Sequence, residues 1–432
     1  MVTGTGRIDG RACVVMSYDY TVLAGTQGLN NHRKTDRMLE LAEQRRLPVV
    51  LFAEGGGGRP GDTDTTSVAG LDVTTFHRMG RLSGRVPLVG IASGRCFAGN
   101  AALLGCCDVV IATPEASIGM GGPAMIEGGG LGVYRPEEVG PLSVQLPNGV
   151  VDLAVADEAE AVRVARRYLS YFRGPQGDWQ EPDARLLRHV VPENRRRAYD
   201  MRAAVRALAD VGSVLELRPA FGVGVLAFLV RIEGRPLGLI ASNPAHLGGA
   251  VDRDAADKAA RFLQLCDAFG LPVVSLCDTP GFMVGPDAER TATVRHFARL
   301  FVIGANLRVP LVSLVLRKAY GLGAMAMMGG STRAPLATAA WPSGEFGGMG
   351  LEGAVRLGYR RELEAIADPA QRQAAFEARV AELYERGKAV NAAAALEIDA
   401  VIDPARSRAW ICAALADWTE PAEERRTFVD TW

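Results

Sequence analysis

Short apolar runs alternate with longer amphipathic segments along the chain. In the first half, the run at Val49–Ala53 follows a segment near His32–Arg46 in which apolar residues recur at helical spacing. The second half repeats this pattern, with a run at Val273–Cys277 after a helix-like segment near Ala255–Phe269, which Asp254 is placed to cap. Strands that alternate with helices and are apolar on both faces predict parallel βαβ units, and therefore an α/β fold.

The two halves also share sequence. Three blocks recur in the same order at an offset of 223 or 224 residues. They are GRACVVMS at 10 and GRPLGLIAS at 234, LPVVLFAEGGGGRPG at 47 and LPVVSLCDTPGFMVG at 271, and RVPLVGIASGRCFAGN at 85 and RVPLVSLVLRKAYGLGA at 308. Ordered repeats at a fixed spacing indicate an internal duplication. We expect one domain over residues 1–178, a polar connecting segment over 179–205 and a second domain over 206–432.

Glycine corners follow the buried strands at equivalent points of the two copies. Ala98–Gly99 follows the strand predicted at Leu88–Ala92, and Gly323–Ala324 follows the strand predicted at Leu311–Leu316. Peptide N–H groups at such a corner, next to the positive end of a following helix, suit an oxyanion hole. A tight turn without chemistry is the better explanation of any single corner taken alone. Equivalent corners in both copies favour a pair of anion sites.

Composition and missing motifs exclude several function classes. The chain is 48% hydrophobic and 22% charged, and its net charge of −1 gives no basic field for nucleic acid. There is no apolar run of the roughly 18 residues that a membrane span needs, and no signal-like N-terminus, so we expect a cytoplasmic protein. The cysteines form no CxxC and the histidines never lie at i, i+4, so no metal is expected. Without GxSxG or GxxxxGK[ST], backbone donors remain the candidate chemistry.

Five motifs together carry a family resemblance: EGGGGRPG, GRCFAGNAALLGCCD, DTPGFMVG, LRKAYGLGAMAM and WPSGEFGGMGLEGAV. They resemble the carboxyltransferase subunits of biotin-dependent acyl-CoA carboxylases, the acetyl-, propionyl- and methylcrotonyl-CoA group. The similarity runs over about residues 3–414, nearly the whole chain. It implies two tandem crotonase-like domains of the ClpP/crotonase superfamily, each a ββα superhelix, related by the internal duplication.

The resemblance implies transfer of a carboxyl group from carboxybiotin to the α-carbon of an acyl-CoA. Ala98 and Gly99 match the pair that binds the thioester oxygen as the enolate forms, and Gly323 and Ala324 match the pair that binds the ureido oxygen of biotin. Biotin N1 would take the α-proton, so no side-chain base is required. The family usually has glycine at the position of Ala98. The second corner has one extra residue, Leu322, so Leu322 and Gly323 are an alternative pair.

Further contacts are expected beside each corner. Cations and glycines near the first corner are candidates for binding CoA: Lys34, Arg37, Gly57, Gly58 and Arg59. Residues at the second corner are candidates for binding biotin: Tyr320, Gly321 and Leu322. The alternative for Lys34 and Arg37 is an exposed helix face, and the alternative for Tyr320 is a packed core position.

The partners follow from the same resemblance. The chain has neither a biotinyl-lysine MKM site nor an ATP-grasp-like region, so it should require a biotin carboxyl carrier protein and a biotin carboxylase. A homo-oligomer, a dimer or a hexamer, is expected. Two other functions remain open: a biotin-independent acyl-CoA decarboxylase or lyase on the same scaffold, and a non-catalytic carboxylase assembly subunit. A crotonase-like hydratase is less favoured, because the required pair of glutamates has no clear place.

Overall fold

The computed structural model describes residues 1–59, 69–419 and 428–432. These residues form two compact units, one made of 1–173, 217–221 and 428–432, the other of 174–216 and 222–419. Residues 179–205, expected to connect two domains, belong to the second unit. Leu187 and Met201 in this stretch are buried in that unit's core, so the segment is held by packing.

The first unit contains a six-stranded sheet and a small two-stranded one. Its elements are β1 (Val2–Ile8), β2 (Arg11–Ser17), α1 (Leu29–Arg45), β3 (Val49–Phe52), α2 (Thr75–Leu82), β4 (Leu88–Ala92), β5 (Arg95–Phe97), α3 (Gly99–Gly105), β6 (Val109–Ala112), β7 (Ser117–Gly119), α4 (Pro123–Gly128), α5 (Leu142–Gln145), β8 (Leu153–Ala154) and α6 (Glu158–Ser170). The strand order of the main sheet is β1-β2-β3-β4-β6-β8, and β5 pairs with β7. After the antiparallel β1–β2 hairpin, all pairs are parallel.

The second unit is built on an eight-stranded sheet. Its elements are α7 (Met201–Leu208), β9 (Leu215–Leu217), β10 (Val225–Ile232), β11 (Arg235–Ser242), α8 (Arg253–Ala268), β12 (Val273–Thr279), α9 (Pro286–Glu289), α10 (Thr293–Ala305), β13 (Leu311–Tyr320), α11 (Gly321–Met327), β14 (Ala337–Ala340), β15 (Glu345–Gly347), α12 (Leu351–Gly358), α13 (Arg360–Glu364), α14 (Pro369–Arg386), α15 (Ala389–Ala394), β16 (Ala400–Val401) and α16 (Ser407–Ala414). The strand order is β16-β14-β13-β12-β11-β10-β9, and β15 pairs with β13. The α/β class is therefore confirmed. Every helix among the described residues is too short or too polar to cross a bilayer.

Each unit opens its sheet with the same kind of hairpin. The β1–β2 turn consists of Asp9 and Gly10, with φ of 47° and 81°, and the β10–β11 turn consists of Glu233 and Gly234, with φ of 52° and 74°. Two successive left-handed residues form the mirror-image turn that matches the twist of a two-residue hairpin. The two turns stand at the same 224-residue offset as the sequence repeats.

The long helix after each hairpin differs from the sequence expectation in detail. Helix α1 begins at Leu29, three residues before the expected start. The side chain that caps α8 is Asp252, not Asp254, because the Asp252 carboxylate accepts the N–H of Ala255 at 2.9 Å. Helix α8 is buried on nearly all sides, because α10 packs against it.

The glycine corners lie at the carboxyl ends of neighbouring parallel strands. In the first unit they follow β3 and precede α3, and in the second they follow β12 and β13. Strands β12 and β13 extend to Thr279 and Tyr320, past the expected ends, so β13 leads directly into α11. Open parallel sheets bind ligands at this edge.

Candidate functional site

Close contact between two stretches of backbone forms the first corner. A Cβ atom on Gly57 would lie 2.4 Å from the Cβ of Ala98 and 3.3 Å from the amide nitrogen of Gly99. Gly57 also has a φ of 83°, in the left-handed region that favours glycine. The loop after β3 therefore reaches the start of α3 because residue 57 has no side chain.

Two buried residues hold the loop of this corner, Asn100 through its side chain and Gln27 through its backbone. Asn100 accepts the N–H of Gly57 on its Oδ1 at 3.0 Å. The backbone of Gln27 bonds the same loop, donating to the Gly57 carbonyl at 2.6 Å and accepting from the Arg59 N–H at 3.0 Å. The N–H and the carbonyl of Gly57 are thus both bonded within the protein and are not free to bond CoA; that Gly57 contacts CoA stays a prediction. The sequence analysis did not identify Gln27 as a site residue, because none of the recognised motifs contains it.

The N–H of Ala98 is also used internally. It donates to the carbonyl of Gly119 at 2.9 Å, so the prediction that this amide is an oxyanion donor is wrong. Ala98 has a φ of 51° and a ψ of −122°, a conformation that costs a non-glycine residue on the order of 1–3 kcal/mol. Within the described residues, the N–H groups of Gly58 and Gly99 donate to no partner. Both are candidate donors at this corner.

A cavity of about 180 Å³ lies beside the first corner. It is lined by Met1, Tyr18, Asp19, Val22, Gly25, Thr26, Asn30, Asn31, Lys34 and Arg59. The Lys34 ammonium donates to the Met1 carbonyl at 3.1 Å, and Arg59 Nε donates to the Thr26 hydroxyl at 3.3 Å. Arg37 is not brought here, because its side chain is 65% exposed and paired with Glu40 at 3.0 Å. The structure therefore gathers two of the three predicted cations.

Glu54 ties the ends of β3 and β4 together. Its Oε1 accepts the backbone N–H of Ser93 at 2.5 Å, and burial raises the pKa of the carboxyl above its ordinary value. Across residues 1–59, 69–419 and 428–432, no three His, Cys, Asp or Glu side chains gather as metal ligands would.

The second corner is another close backbone contact. A Cβ atom on Gly323 would lie 2.5 Å from the carbonyl carbon of Gly281 and 2.7 Å from the nitrogen of Phe282. Leu322 and Gly323 stand in the first turn of α11, where N–H groups lack helical partners, and Leu322 is 60% exposed. Ala324 is buried at the fourth position, whose N–H normally bonds the carbonyl before the helix. The geometry favours Leu322 and Gly323, the alternative pair.

Tyr320 packs in a small hydrophobic core. It is 2% exposed and lies in a cluster with Leu351, Val355 and Val380. Its ring also lies 3.4 Å from the place that a Cβ of Gly347 would occupy. The prediction that Tyr320 forms a wall of the biotin pocket is therefore wrong. The α12–α14 helices that cover it lie more than 30 residues further along the chain at their nearest, which the local pattern does not reveal.

A buried carboxyl lies beside this tyrosine. Glu345 is 1% exposed, and Arg195 Nη1 approaches its Oε2 at 3.7 Å. Among the described residues neither carboxyl oxygen has a hydrogen-bond partner, and neither has the Tyr320 hydroxyl. Burial raises the pKa of Glu345, an effect that the charge of Arg195 partly offsets. The sequence analysis missed Glu345, which lies within the WPSGEFGGMG motif.

Known proteins resemble this chain over nearly its full length. The model of the carboxyl transferase domain matches residues 1–428. The propionyl-CoA carboxylase beta chain of Saccharopolyspora erythraea is 32% identical, covering 96% of this chain and 79% of that protein. The solved structure of the transcarboxylase 12S subunit, a hexamer with methylmalonyl-CoA bound, is 30% identical with a TM-score of 0.85, covering 99% and 84%.

A third similar protein is a single-chain, multi-domain long-chain acyl-CoA carboxylase. Its solved structure is 66% identical with a TM-score of 0.88 over 93% of this chain. This chain spans 39% of that longer protein.

We expect Glu345→Gln to flatten the pH dependence of the free energy of unfolding. Because the folded-state pKa lies above the ordinary value of 4.5, the stability that this group contributes is complete below pH 4.5 and declines as the pH rises toward the folded-state pKa. Glutamine does not ionise. The variant should therefore gain stability relative to the unmodified protein between acidic and neutral pH, as measured by denaturant unfolding across that range.

The control for this experiment is Glu362→Gln, since the Glu362 side chain is 64% exposed in the same unit. It should leave the pH profile unchanged. A stability difference for Glu345→Gln that stays constant with pH would contradict the role assigned to burial.

Proposed function

We propose that this chain, a member of the carboxyl transferase domain family and an acyl-CoA carboxyltransferase, works chiefly through peptide N–H groups. The observation that carries the proposal is the pair of glycine corners, at Gly99 and Gly323, each in the first turn of a helix at the ligand-binding edge of a parallel sheet. Donors fixed in the backbone need no reorganisation as charge develops in the transition state.

Both units are proposed to be crotonase-like ββα superhelices that arose by duplication. The left-handed turns at Asp9–Gly10 and Glu233–Gly234 support this, as does the equal spacing of the two corners. A duplicated fold supplies the same anion-binding edge twice, which suits a reaction with two oxygen atoms to hold.

At the first corner, Gly58 and Gly99 are proposed to hold the thioester oxygen while the α-carbon loses its proton. Among the described residues their N–H groups have no internal partner, whereas those of Gly57 and Ala98 do. One such donor is worth about 3 kcal/mol of transition-state stabilisation in other enzymes. The strained Ala98 peptide turns away toward Gly119 and leaves Gly99 at the start of the helix.

At the second corner, Leu322 and Gly323 are proposed to hold the ureido oxygen of biotin. Carboxybiotin, delivered on a carrier protein, supplies the carbon dioxide and the base for the α-proton. The chain's own contribution is to place the ring and to stabilise charge on its oxygen. With Tyr320 packed away in the core, Gly321 and Leu322 remain as the predicted biotin contacts.

The cavity beside the first corner is proposed to receive the phosphates of CoA. Lys34 and Arg59 both line it, and their cations suit phosphate oxygens. The solved relative with methylmalonyl-CoA bound is hexameric, which supports a homo-oligomer here. A biotin carboxyl carrier protein and a biotin carboxylase are the proposed partners.

A long-chain acyl-CoA is the proposed substrate. The 66% identity to a long-chain acyl-CoA carboxylase supports it. The apolar segment after β7 also supports a long-chain substrate. It follows Gly119, whose carbonyl accepts the N–H of Ala98 at the first corner. Met120 in that segment is 72% exposed, and Met125, Leu131 and Val133 are exposed as well.

We expect Gly323→Ala to abolish carboxyl transfer to biotin while leaving acyl-CoA affinity intact. The added methyl would clash with the backbone of Gly281 and Phe282, which cannot move aside as a flexible side chain can, and so would displace the first turn of α11. Transfer should fall more than about a hundredfold, the loss that follows from removing one oxyanion donor. Transfer to free biotin and acyl-CoA binding by calorimetry measure the two effects.

Gly358→Ala serves as the control, because its added methyl meets no atom within 4 Å. Unchanged transfer by Gly323→Ala would remove the second corner from the mechanism. Release of carbon dioxide from malonyl-CoA in the absence of biotin would favour the decarboxylase alternative.

We expect Arg59→Ala to raise the KM for acyl-CoA more than it lowers kcat. Loss of a phosphate contact weakens binding of substrate and transition state alike. Arg45→Ala, which removes an exposed cation at the far end of α1, should change neither constant. A fall in kcat at constant KM would argue against a CoA-binding role for Arg59.

We expect kcat/KM to rise from propionyl-CoA to long-chain acyl-CoAs when the panel is assayed with a charged carrier. Met120→Ser should reduce the value for long chains and spare propionyl-CoA, since it removes apolar surface that only a long chain reaches. A preference for propionyl-CoA in the unmodified protein would refute the assignment of substrate class.

A further inference from the structure

The strand that leads to the second corner is bulged. Along β12 and β13, Cys277 pairs with Val315, but the next pair is Thr279 with Ala319. One residue of β12, Asp278, therefore stands opposite three residues of β13. Bulges interrupt the ladder hydrogen bonds and redirect the strand that carries the extra residues.

The carboxylate of Asp278 fills this interruption. Asp278 is fully buried, and its Oδ1 accepts the backbone N–H of Lys318 at 3.1 Å, which stands in for a ladder bond. Its Oδ2 accepts from Arg317 Nε at 3.0 Å and from the Tyr199 hydroxyl at 2.8 Å. A buried charge with this many partners is fixed in direction as well as neutralised.

The partners of Asp278 are fixed in their turn. Arg317 Nη1 donates to the carbonyl of Arg197 at 2.8 Å, and the guanidinium lies 4.9 Å from the centre of the Tyr199 ring. The Lys318 ammonium donates to the carbonyl of Gly248, in the turn before α8. Burial lowers the pKa of Lys318.

Asp278 and the residues bonded to it lie next to both backbone segments that form the second corner. The loop that leaves β12 after Asp278 reaches Gly281, whose carbonyl accepts the N–H of Val251 at 3.0 Å. The strand that leaves the bulge reaches Gly323, which packs on Gly281. Both segments therefore begin within two residues of Asp278 or of a residue that bonds its carboxylate.

We propose that Asp278 is a positioning residue for the second corner: its carboxylate fixes the bulge and thereby the direction of the Leu322 and Gly323 N–H groups. This inference rests on the proposed function of that corner. The alternative is that Asp278 only stabilises the fold, because loss of one member of a buried ion pair leaves the other charge without a partner.

The chain contains a matched residue that separates these explanations. Asp267 lies in the last turn of α8, and its Oδ1 accepts the backbone N–H groups of Arg308 at 2.7 Å and Val309 at 3.2 Å, just before the amino end of β13. Its Oδ2 accepts from Arg308 Nε at 3.1 Å. The two aspartates thus share burial, an arginine partner and bonds to backbone, but only Asp278 is beside the corner.

The test compares Asp278→Asn, Asp267→Asn and Tyr199→Phe in the full chain. Asp278→Asn should lower kcat/KM for free biotin by about ten- to a hundredfold, because displacing a catalytic group by about 1 Å costs up to about a hundredfold. Its acyl-CoA affinity, measured by calorimetry, should stay unchanged. Asp267→Asn should lower the melting temperature but leave both kinetic constants for biotin unchanged.

Tyr199→Phe decides the matter if Asp278→Asn does not fold, since it removes one hydrogen bond and keeps the buried ion pair. It should lower kcat/KM for biotin several-fold without changing acyl-CoA affinity. Equal effects of the Asp278 and Asp267 variants, or an unaffected Tyr199→Phe enzyme, would overturn the positioning role alone. Absence of transfer by the unmodified protein with a charged carrier would instead overturn the proposed function, and the inference with it.

Discussion

The site depends on backbone approaching backbone where no Cβ atom intervenes. Gly57 touches the start of α3 and Gly323 touches the loop after β12 at distances that any side chain would prevent. Each contact places peptide N–H groups at the edge of a parallel sheet, where the first turn of a helix leaves them without partners. The orientation of these donors is therefore a property of the fold and not of a rotamer.

The two corners are secured by different chemistry, although they lie at equivalent points of the sequence repeat. Neutral amides, those of Gln27 and Asn100, hold the loop of the first corner. The second corner is next to a buried ion pair between Asp278 and Arg317. Neutral hydrogen bonds avoid the desolvation that a charge requires, whereas a buried charge imposes a more restrictive geometry on its partners. The two corners thus have the same place at the edge of a parallel sheet but different supporting residues.

Much of the architecture was predictable from sequence, because apolar runs and repeats are local patterns. The strand at Leu88–Ala92 has the predicted bounds, and the predicted helix near Ala255–Phe269 is present as α8. Which peptide N–H groups remain free was not predictable. The amide of Ala98 is bonded by Gly119, a residue that the fold brings close and the chain separates by 21 positions. Burial of Tyr320 likewise depends on helices that pack from elsewhere in the sequence.

The internal bond of the Ala98 amide has a consequence for how such a protein tolerates mutation. Catalysts that act through side chains lose activity when an acid, base or nucleophile is exchanged. Here the proposed donors are peptide N–H groups, which every residue type except proline has, so chemical identity at positions 58, 99, 322 and 323 should matter less than volume and backbone conformation. Substitutions that preserve backbone shape should have little effect, whereas a single added methyl at Gly57 or Gly323 would clash with its neighbours. A genetic screen of this enzyme would find its most sensitive positions among glycines that carry no functional group.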